Sequence, residues 1–199
     1  MFTGIVRSIG RIAEVGAESP LRLSIDAGGL PTAGWRVGDS VAVSGVCLTV
    51  VALAGGRFDA ELSGETRERT TLGRLVPGAN VNLEPALAAA DPMGGHLVTG
   101  HVDGIARVVE VSESGGTLGA SIEAPAGLAR FIARKGSVAL DGVSLTVADV
   151  RDAVFRIDVV PHTRSATTLG ALAPGQVLNL EIDLVARYLD RLLEARGGP

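Results

Sequence analysis

Aromatic side chains make up only 3% of this 199-residue chain, so a core of stacked rings is excluded and Val, Leu, Ile and Ala must fill it. A single cysteine, Cys47, rules out an internal disulfide framework and fits a reducing compartment. Basic residues do not cluster. Lys and Arg number 18 against 22 Asp and Glu, a net charge of −4, which argues against a nucleic-acid backbone as partner. No apolar run approaches the roughly 18 residues of a membrane span, and Met1-Phe2-Thr3-Gly4 lacks the charged-then-apolar pattern of a signal peptide. A soluble, cytoplasmic protein is expected. Phosphate-binding loops, dinucleotide glycine fingerprints and a Ser-His-Asp context are also missing.

What the chain does contain is a repetition. Ser44-Gly45-Val46-Cys47-Leu48-Thr49-Val50 returns 97 residues later as Asp141-Gly142-Val143-Ser144-Leu145-Thr146-Val147, identical at five of seven positions. The twenty residues from Glu65 to Glu84 match those from His162 to Glu181 at twelve positions, ending on Asn82-Leu83-Glu84 and Asn179-Leu180-Glu181. A period near 100 exceeds the 20–50 residues of a solenoid unit, so a whole small domain has been duplicated. Residues 1–95 form one unit with its linker, 96–183 the second, and 184–196 a tail. The second unit opens on Leu97-Val98-Thr99-Gly100-His101-Val102, which aligns with the N-terminal Phe2-Thr3-Gly4-Ile5-Val6 at a shift of 96.

Within each unit the apolar residues alternate, as in Leu21, Leu23 and Ile25, which places them on one face of a strand. Six short strands with glycine-rich turns predict a small antiparallel barrel, with a sandwich as the alternative. Closure leaves no exposed edge. Thr70 to Leu75 reads as a short helix or turn, Gly127 to Arg134 as a short helix, and Pro85 to Gly95 as the linker. In the tail, Asp183 can cap a helix in which Val185, Tyr188, Leu189, Leu192 and Ala195 recur at three and four. So short a helix is not stable alone; it packs on its own barrels or meets copies of itself.

Candidate chemistry sits in the repeated stretches. Cys47 and Thr49, like Ser144 and Thr146, lie two apart on one face of a strand, with Leu48 and Leu145 on the other. A threonine in a strand is commonly just a strand former, and a lone cysteine commonly a small hydrophobe. Their duplication instead suggests the lining of a pocket for a small polar ligand. Glu61-Leu62-Ser63-Gly64-Glu65-Thr66 and Asp158-Val159-Val160-Pro161-His162-Thr163 read as paired loops leaving strands, with Glu65 and His162 at one repeat position. His96 and His101 are five apart in an extended segment and face opposite ways, so no metal site is expected. His101 reads equally as a general acid–base or as a hydrogen-bonded structural group. Lys135 is an isolated base at a strand start.

Met1-Phe2-Thr3-Gly4-Ile5-Val6, the two G-V-[CS]-L-T-V blocks, Gly94-Gly95-His96-Leu97-Val98-Thr99-Gly100-His101-Val102-Asp103-Gly104 and the repeated T-T-L-G closely resemble the riboflavin synthase alpha-chain family over essentially the whole length. The resemblance implies two six-stranded Greek-key barrels related by a pseudo-two-fold, with a C-terminal helix joining a homotrimer. It implies dismutation of two 6,7-dimethyl-8-ribityllumazine molecules to riboflavin and 5-amino-6-ribitylamino-pyrimidinedione, with no cofactor and no metal. A lumazine synthase capsid is a further candidate partner on the same ground. One site is expected to use Cys47-Leu48-Thr49, Glu61 to Thr66, Gly100-His101-Val102 and Lys135. Its twin is expected to use Ser144-Leu145-Thr146, Asp158 to Thr163 and Gly4-Ile5-Val6. His101, Cys47, Ser144 and Thr146 are the expected catalytic groups. The chain departs from the family pattern at His162, Ser165 and Ala166, where a more polar Glu-Thr-x-x-Arg-Thr is usual. A non-catalytic lumazine-binding protein and a purely structural oligomerisation module are the rival readings.

Overall fold

A computed structural model describes residues 1–17 and 19–196. The first six strands are β1 (Ser8–Val15), β2 (Leu21–Asp26), β3 (Ser40–Val43), β4 (Val46–Ala54), β5 (Arg57–Leu62) and β6 (Asn80–Pro85). They close antiparallel in the order β1-β2-β5-β4-β3-β6. The next six repeat the scheme as β7 (Gly104–Ser114), β8 (Thr117–Glu123), β9 (Ser137–Leu140), β10 (Val143–Arg151), β11 (Val154–Val159) and β12 (Val177–Ile182). Their closed order, β10-β11-β8-β7-β12-β9, is the same circuit. Because β6 returns beside β3 after the β3-β4-β5 run, each barrel contains a Greek key. The barrel expectation holds and the sandwich alternative falls.

Sequence detail explains the closure. Along β4 and β10 the burial alternates, with Val46, Leu48 and Val50 inside one barrel and Val143, Leu145 and Val147 inside the other. Register slips occur between Ile12 and Glu14 and between Val50 and Ala52, and again between Val108 and Glu110 and between Val147 and Asp149. An extra residue bends and twists a strand, and four bulges at repeat-related places let short sheets curl shut. Phe58 and Phe155 fill equivalent core positions; Trp35 packs on Phe58 at a ring separation of 5.4 Å, and the second barrel has Ile132 at the Trp35 position.

The barrels meet about a pseudo-two-fold passing between the β3–β4 and β9–β10 turns. Ser44-Gly45 and Asp141-Gly142 all take positive φ, as a two-residue hairpin of this type requires. Glycine is needed at the axis for a second reason. A Cβ on Gly45 would lie 2.6 Å from the Gly142 nitrogen, and one on Gly142 would lie 2.7 Å from the Gly45 nitrogen. Around the axis the asparagines of the repeated N-L-E triplet cross over. The Asn82 amide donates to the Asp141 carbonyl at 2.9 Å and accepts from the Thr168 nitrogen at 2.8 Å; Asn179 does the same with Ser44 and Thr71 at 2.8 Å each. Phe2, Ala42, Val98 and Ala139 form a small apolar cluster across the junction.

Three helical expectations need correction. The two stretches read as loops are strand ends running into α1 (Gly64–Arg69) and α2 (Pro161–Ala166). Neither helix buries a residue, so neither carries an apolar stripe; Ser63 accepting from the Thr66 nitrogen and the Glu65–Arg69 pair mark α1, and Pro161 in the first turn marks α2. The helix expected over Gly127 to Arg134 shrinks to one 3₁₀ turn at Ala129–Phe131. Thr71–Arg74 and Thr168–Ala171 are 3₁₀ turns as well. The tail forms α3 (Leu184–Arg196), begun by Asp183 accepting from the Val185 nitrogen at 2.9 Å. Among the described helices none is long and apolar enough to cross a membrane.

Candidate functional site

Each barrel is completed by a segment that the other barrel's half of the chain supplies. Thr3 and Gly4 are gripped by Glu84 of β6: the Thr3 nitrogen and hydroxyl donate to it at 2.7 Å each and the Gly4 nitrogen at 3.0 Å. The Gly4 carbonyl then accepts from Ser144 of the second barrel at 2.8 Å. Reciprocally, Glu181 of β12 grips Thr99 and Gly100 at 2.7–2.9 Å, and the Gly100 carbonyl accepts from the Cys47 nitrogen of the first barrel at 2.9 Å. Gly4 and Gly100 have φ of 73° and 79°, and a Cβ on either would lie 2.6 Å from the Cβ of Ser144 or Cys47. Only glycine lets these straps lie against the strands. Burial raises the pKa of both Glu84 and Glu181, and the hydrogen bonds from the straps pull in the opposite direction.

The first barrel presents an open cavity of about 420 Å³ lined by Val46, Cys47, Glu65, Thr66, Arg69, Thr70, Gly100, His101 and Val102. So Cys47, Glu65, Thr66, Gly100, His101 and Val102, named from the sequence, converge. On α1 Arg69 pairs with Glu65 at 3.0 Å, adding a cation beside the carboxylate. Thr49 is exposed on the outer face of β4, as its spacing from Cys47 requires. Leu48 and Leu62 point into the core at 4% and 1% exposure, so only their backbones are within a ligand's reach. Ser63 and Gly64 build the start of α1, the Ser63 hydroxyl lying 2.9 Å from that of Thr66. Glu61 is directed elsewhere, into a separate cavity with Arg22 and Pro20.

Lys135 does not join this group within one chain. It sits in the second barrel with a φ of 67°, its nitrogen donating to the Val147 carbonyl at 2.8 Å.

The twin position is furnished differently. Ser144 and Thr146 face outward and Leu145 and Val159 inward, as in the first barrel. Val160 and Pro161 start α2, His162 and Thr163 follow on it, and Asp158 pairs with Arg156 at 3.2 Å. Where α1 offers Glu65 and Arg69, α2 offers His162 and Ala166. In addition, the linker folds onto this site. A side chain on Gly95 would strike the Thr3 carbonyl and lie 2.9 Å from the Ser144 Cβ, and His96 Nδ1 lies 2.7 Å from the Ser144 hydroxyl. Ile5 lies beneath Gly94. Burial lowers the His96 pKa, only partly offset by the charge of Asp183, so its imidazole is neutral near pH 7; its Nε2 is buried and has no protein partner. A neutral imidazole bound to a hydroxyl is a competent proton acceptor. The opposite-faces reading of His96 and His101 resolves into one histidine at each site.

Sequence reasoning passed over His96 as a site group, and also Arg69, Glu84 and Glu181. For the two glutamates a signal existed: Asn82-Leu83-Glu84 and Asn179-Leu180-Glu181 repeat a polar pair two apart in a strand. The same spacing had marked Cys47 and Thr49.

Comparison with known proteins gives these two sites a context. Residues 3–86 and 99–183 each match the lumazine binding domain family. The chain is 45% identical over 205 residues to a riboflavin synthase of Mycobacterium tuberculosis, covering 99% of this chain and 100% of the relative. It is 41% identical over 194 residues to a riboflavin synthase of Photobacterium phosphoreum, covering 97% and 89%. Among solved structures, LumP complexed with riboflavin superposes with a TM-score of 0.82 at 28% identity, covering 92% of this chain and 99% of that one. LumP complexed with 6,7-dimethyl-8-(1'-D-ribityl) lumazine gives 0.81 at 27%, with the same coverage.

Proposed function

The chain belongs to the riboflavin synthase family of duplicated lumazine-binding domains, and from that membership we propose that it converts two molecules of 6,7-dimethyl-8-ribityllumazine to riboflavin and 5-amino-6-ribitylamino-pyrimidinedione. A four-carbon unit passes from one lumazine to the other, so the enzyme needs two like sites. The observation that carries this reading is the reciprocal strap exchange, in which the Gly4 and Gly100 carbonyls cap Ser144 and Cys47.

Chemically, a proton must leave the C7 methyl of one lumazine before its carbanion attacks C7 of the other. The neutral His96, joined to Ser144, is the acceptor at the second site, with Thr146 on the same strand face. At the first site His101 and Cys47 border the cavity, and Glu65, Thr66 and Arg69 offer partners for a ribityl chain. Holding two reactants in register is worth roughly 7–11 kcal/mol of the barrier. Acid–base help adds about two to four orders of magnitude.

The two sites of one chain do not face each other in this reading; the reacting pair forms between neighbours. Val185, Tyr188, Leu189, Leu192 and Leu193 of α3 are each at least 55% exposed and make an unpaired apolar face, which supports association into a homotrimer through α3. Lys135 then serves the cavity of an adjacent chain. A cytoplasmic location accompanies the reading.

The test is incubation of the purified protein with the lumazine alone. Green riboflavin emission should grow, with one riboflavin for every two lumazines consumed. The covered second site favours one other reading, a single-site lumazine binder, and lumazine emission that never turns to riboflavin emission would establish it in place of the enzyme.

A further inference from the structure

The strap that carries His101 is anchored at both ends, and the second anchor belongs to the tail helix. Its first anchor is Glu181 on Thr99 and Gly100. At its far end Asp103, whose side chain is only 10% exposed, accepts from the Ile182 nitrogen at 2.9 Å and from the Arg187 guanidinium at 2.8 and 2.9 Å. Arg187 sits one turn into α3. His101 lies midway, its own nitrogen donating to the Thr99 hydroxyl at 3.2 Å.

The first half of the chain shows what this second anchor adds. The residue aligned with Asp103 is Arg7. Both backbones bond alike, Arg7 to the Leu83 carbonyl at 2.9 Å and Asp103 to the Leu180 carbonyl at 2.8 Å. Only the second copy has a helix following its last strand, and only the second copy has a carboxylate to hold it. The strap therefore does not need Asp103 in order to lie against the barrel. The helix α3 has a second tether besides Arg187, since Arg130 pairs separately with Asp190 at 2.7 Å and with Glu194 at 3.4 Å. The Asp103–Arg187 pair is the contact that joins strap and helix directly.

We propose that Asp103 and Arg187 are a positioning pair that ties the register of the His101 strap to α3, so that helix association and the geometry of the first-barrel cavity are set together. The proposal rests on the lumazine reading of that cavity. A rigid two-point link matters because displacing a reacting group by about 1 Å costs up to about a hundredfold in rate. One guanidinium nitrogen, Nη2, lies between both carboxylate oxygens at 2.8 and 2.9 Å, a charge-assisted contact shorter and stronger than a neutral hydrogen bond.

The experiment uses the full chain with Arg187→Met, Asp103→Asn, their combination, and Arg187→Lys. Riboflavin formation, lumazine affinity by fluorescence titration, oligomeric state, and the His101 imidazole proton resonance (assigned with His101→Gln) are measured on each. Expected are a fall in kcat of about tenfold for either single change, a KM altered less than about twofold, an unchanged oligomer and a shifted His101 resonance. The double variant should be no worse than either single one, and Arg187→Lys should recover part of the loss. An unchanged kcat with an unmoved His101 resonance overturns the proposal, as does a loss that only tracks dissociation of the oligomer. If Arg187→Met dissociates the oligomer, Asp103→Asn decides the matter, since its amide oxygen still accepts from the Ile182 nitrogen. Wild-type protein that makes no riboflavin refutes the lumazine reading instead, and the resonance shift then judges the pair by itself.

Discussion

The two barrels share a circuit, four bulges and a strap exchange, yet their sites differ in what approaches from outside. The first is an open cavity edged by Glu65, Arg69 and His101. The second is roofed by Gly95 and His96, with Ser144 held by an imidazole. A duplication supplies two copies of a scaffold, and the sequence joining them can make the copies unequal. The second strap is preceded by eleven linker residues, Pro85 to Gly95, and then His96. The end of that linker, Gly95 with His96 after it, lies against Ser144 of the second site.

The strongest way to break the comparison is through the element only one half owns. Replacing Val185, Leu189 and Leu192 by Asp removes apolar burial worth about 1.5–3 kcal/mol per side chain. Light scattering should then find single chains and riboflavin formation should all but vanish; full activity from a proven monomer would dismiss the inter-chain site.

Next in size is the axis itself. Gly45→Ala and Gly142→Ala each put a Cβ into opposing backbone at a positive φ, so urea unfolding should show each losing about 3 kcal/mol or more. The two losses should agree, because the contact is mutual, and a large difference between them would displace the axis.

Ser144→Ala and Cys47→Ala compare the sites directly. The first strips His96 of its partner and should lower kcat about a hundredfold, the second no more than about tenfold. The reverse ranking in steady-state assays would move the proton-accepting role to the first barrel.

The last comparison is a pH slope. Ser44 and Asp141 occupy equivalent turns of the two barrels, accepting from the Asn82 nitrogen at 3.2 Å and the Asn179 nitrogen at 2.7 Å. Burial pushes the Asp141 carboxyl up to about 7, the hydrogen bond from Asn179 opposing. An acid whose folded value is raised holds its proton more tightly when folded. Its stabilisation is therefore complete below about pH 4 and is lost as the pH climbs to about 7, at about 1.4 kcal/mol per unit. Asp141→Ser should flatten that share of the slope in unfolding titrations, leaving the smaller shares of Glu84 and Glu181. An unaltered slope would mean that Asp141 is ionised in the fold.

Much of this was legible before any coordinates. Alternation at Leu21, Leu23 and Ile25 and the repeated G-V-x-L-T-V blocks gave strands, faces and barrel, because period-two burial needs no knowledge of partners. Glycine at positions 4 and 100 could be matched by alignment, and both carbonyls do reach the opposite barrel. The helices α1 and α2 were invisible since six residues, none of them buried, carry no apolar period. The His96–Ser144 bond joins residues 48 apart through a linker that doubles back, and spacing says nothing about such a contact. Lys135 shows the opposite limit: the resemblance grouped it with Cys47 and Gly100, and within one chain it lies in the second barrel.

One consequence of the strap exchange concerns inheritance. Glu84 keeps Thr3 and Gly4 at home while their carbonyl serves the neighbour, and Glu181 does likewise for Thr99 and Gly100. Neither half thus owns a finished site, and deleting one half would strip the survivor of its missing wall as well. The halves are mutual lenders: their roofs differ, whereas the glycines that lean on each other stand in both.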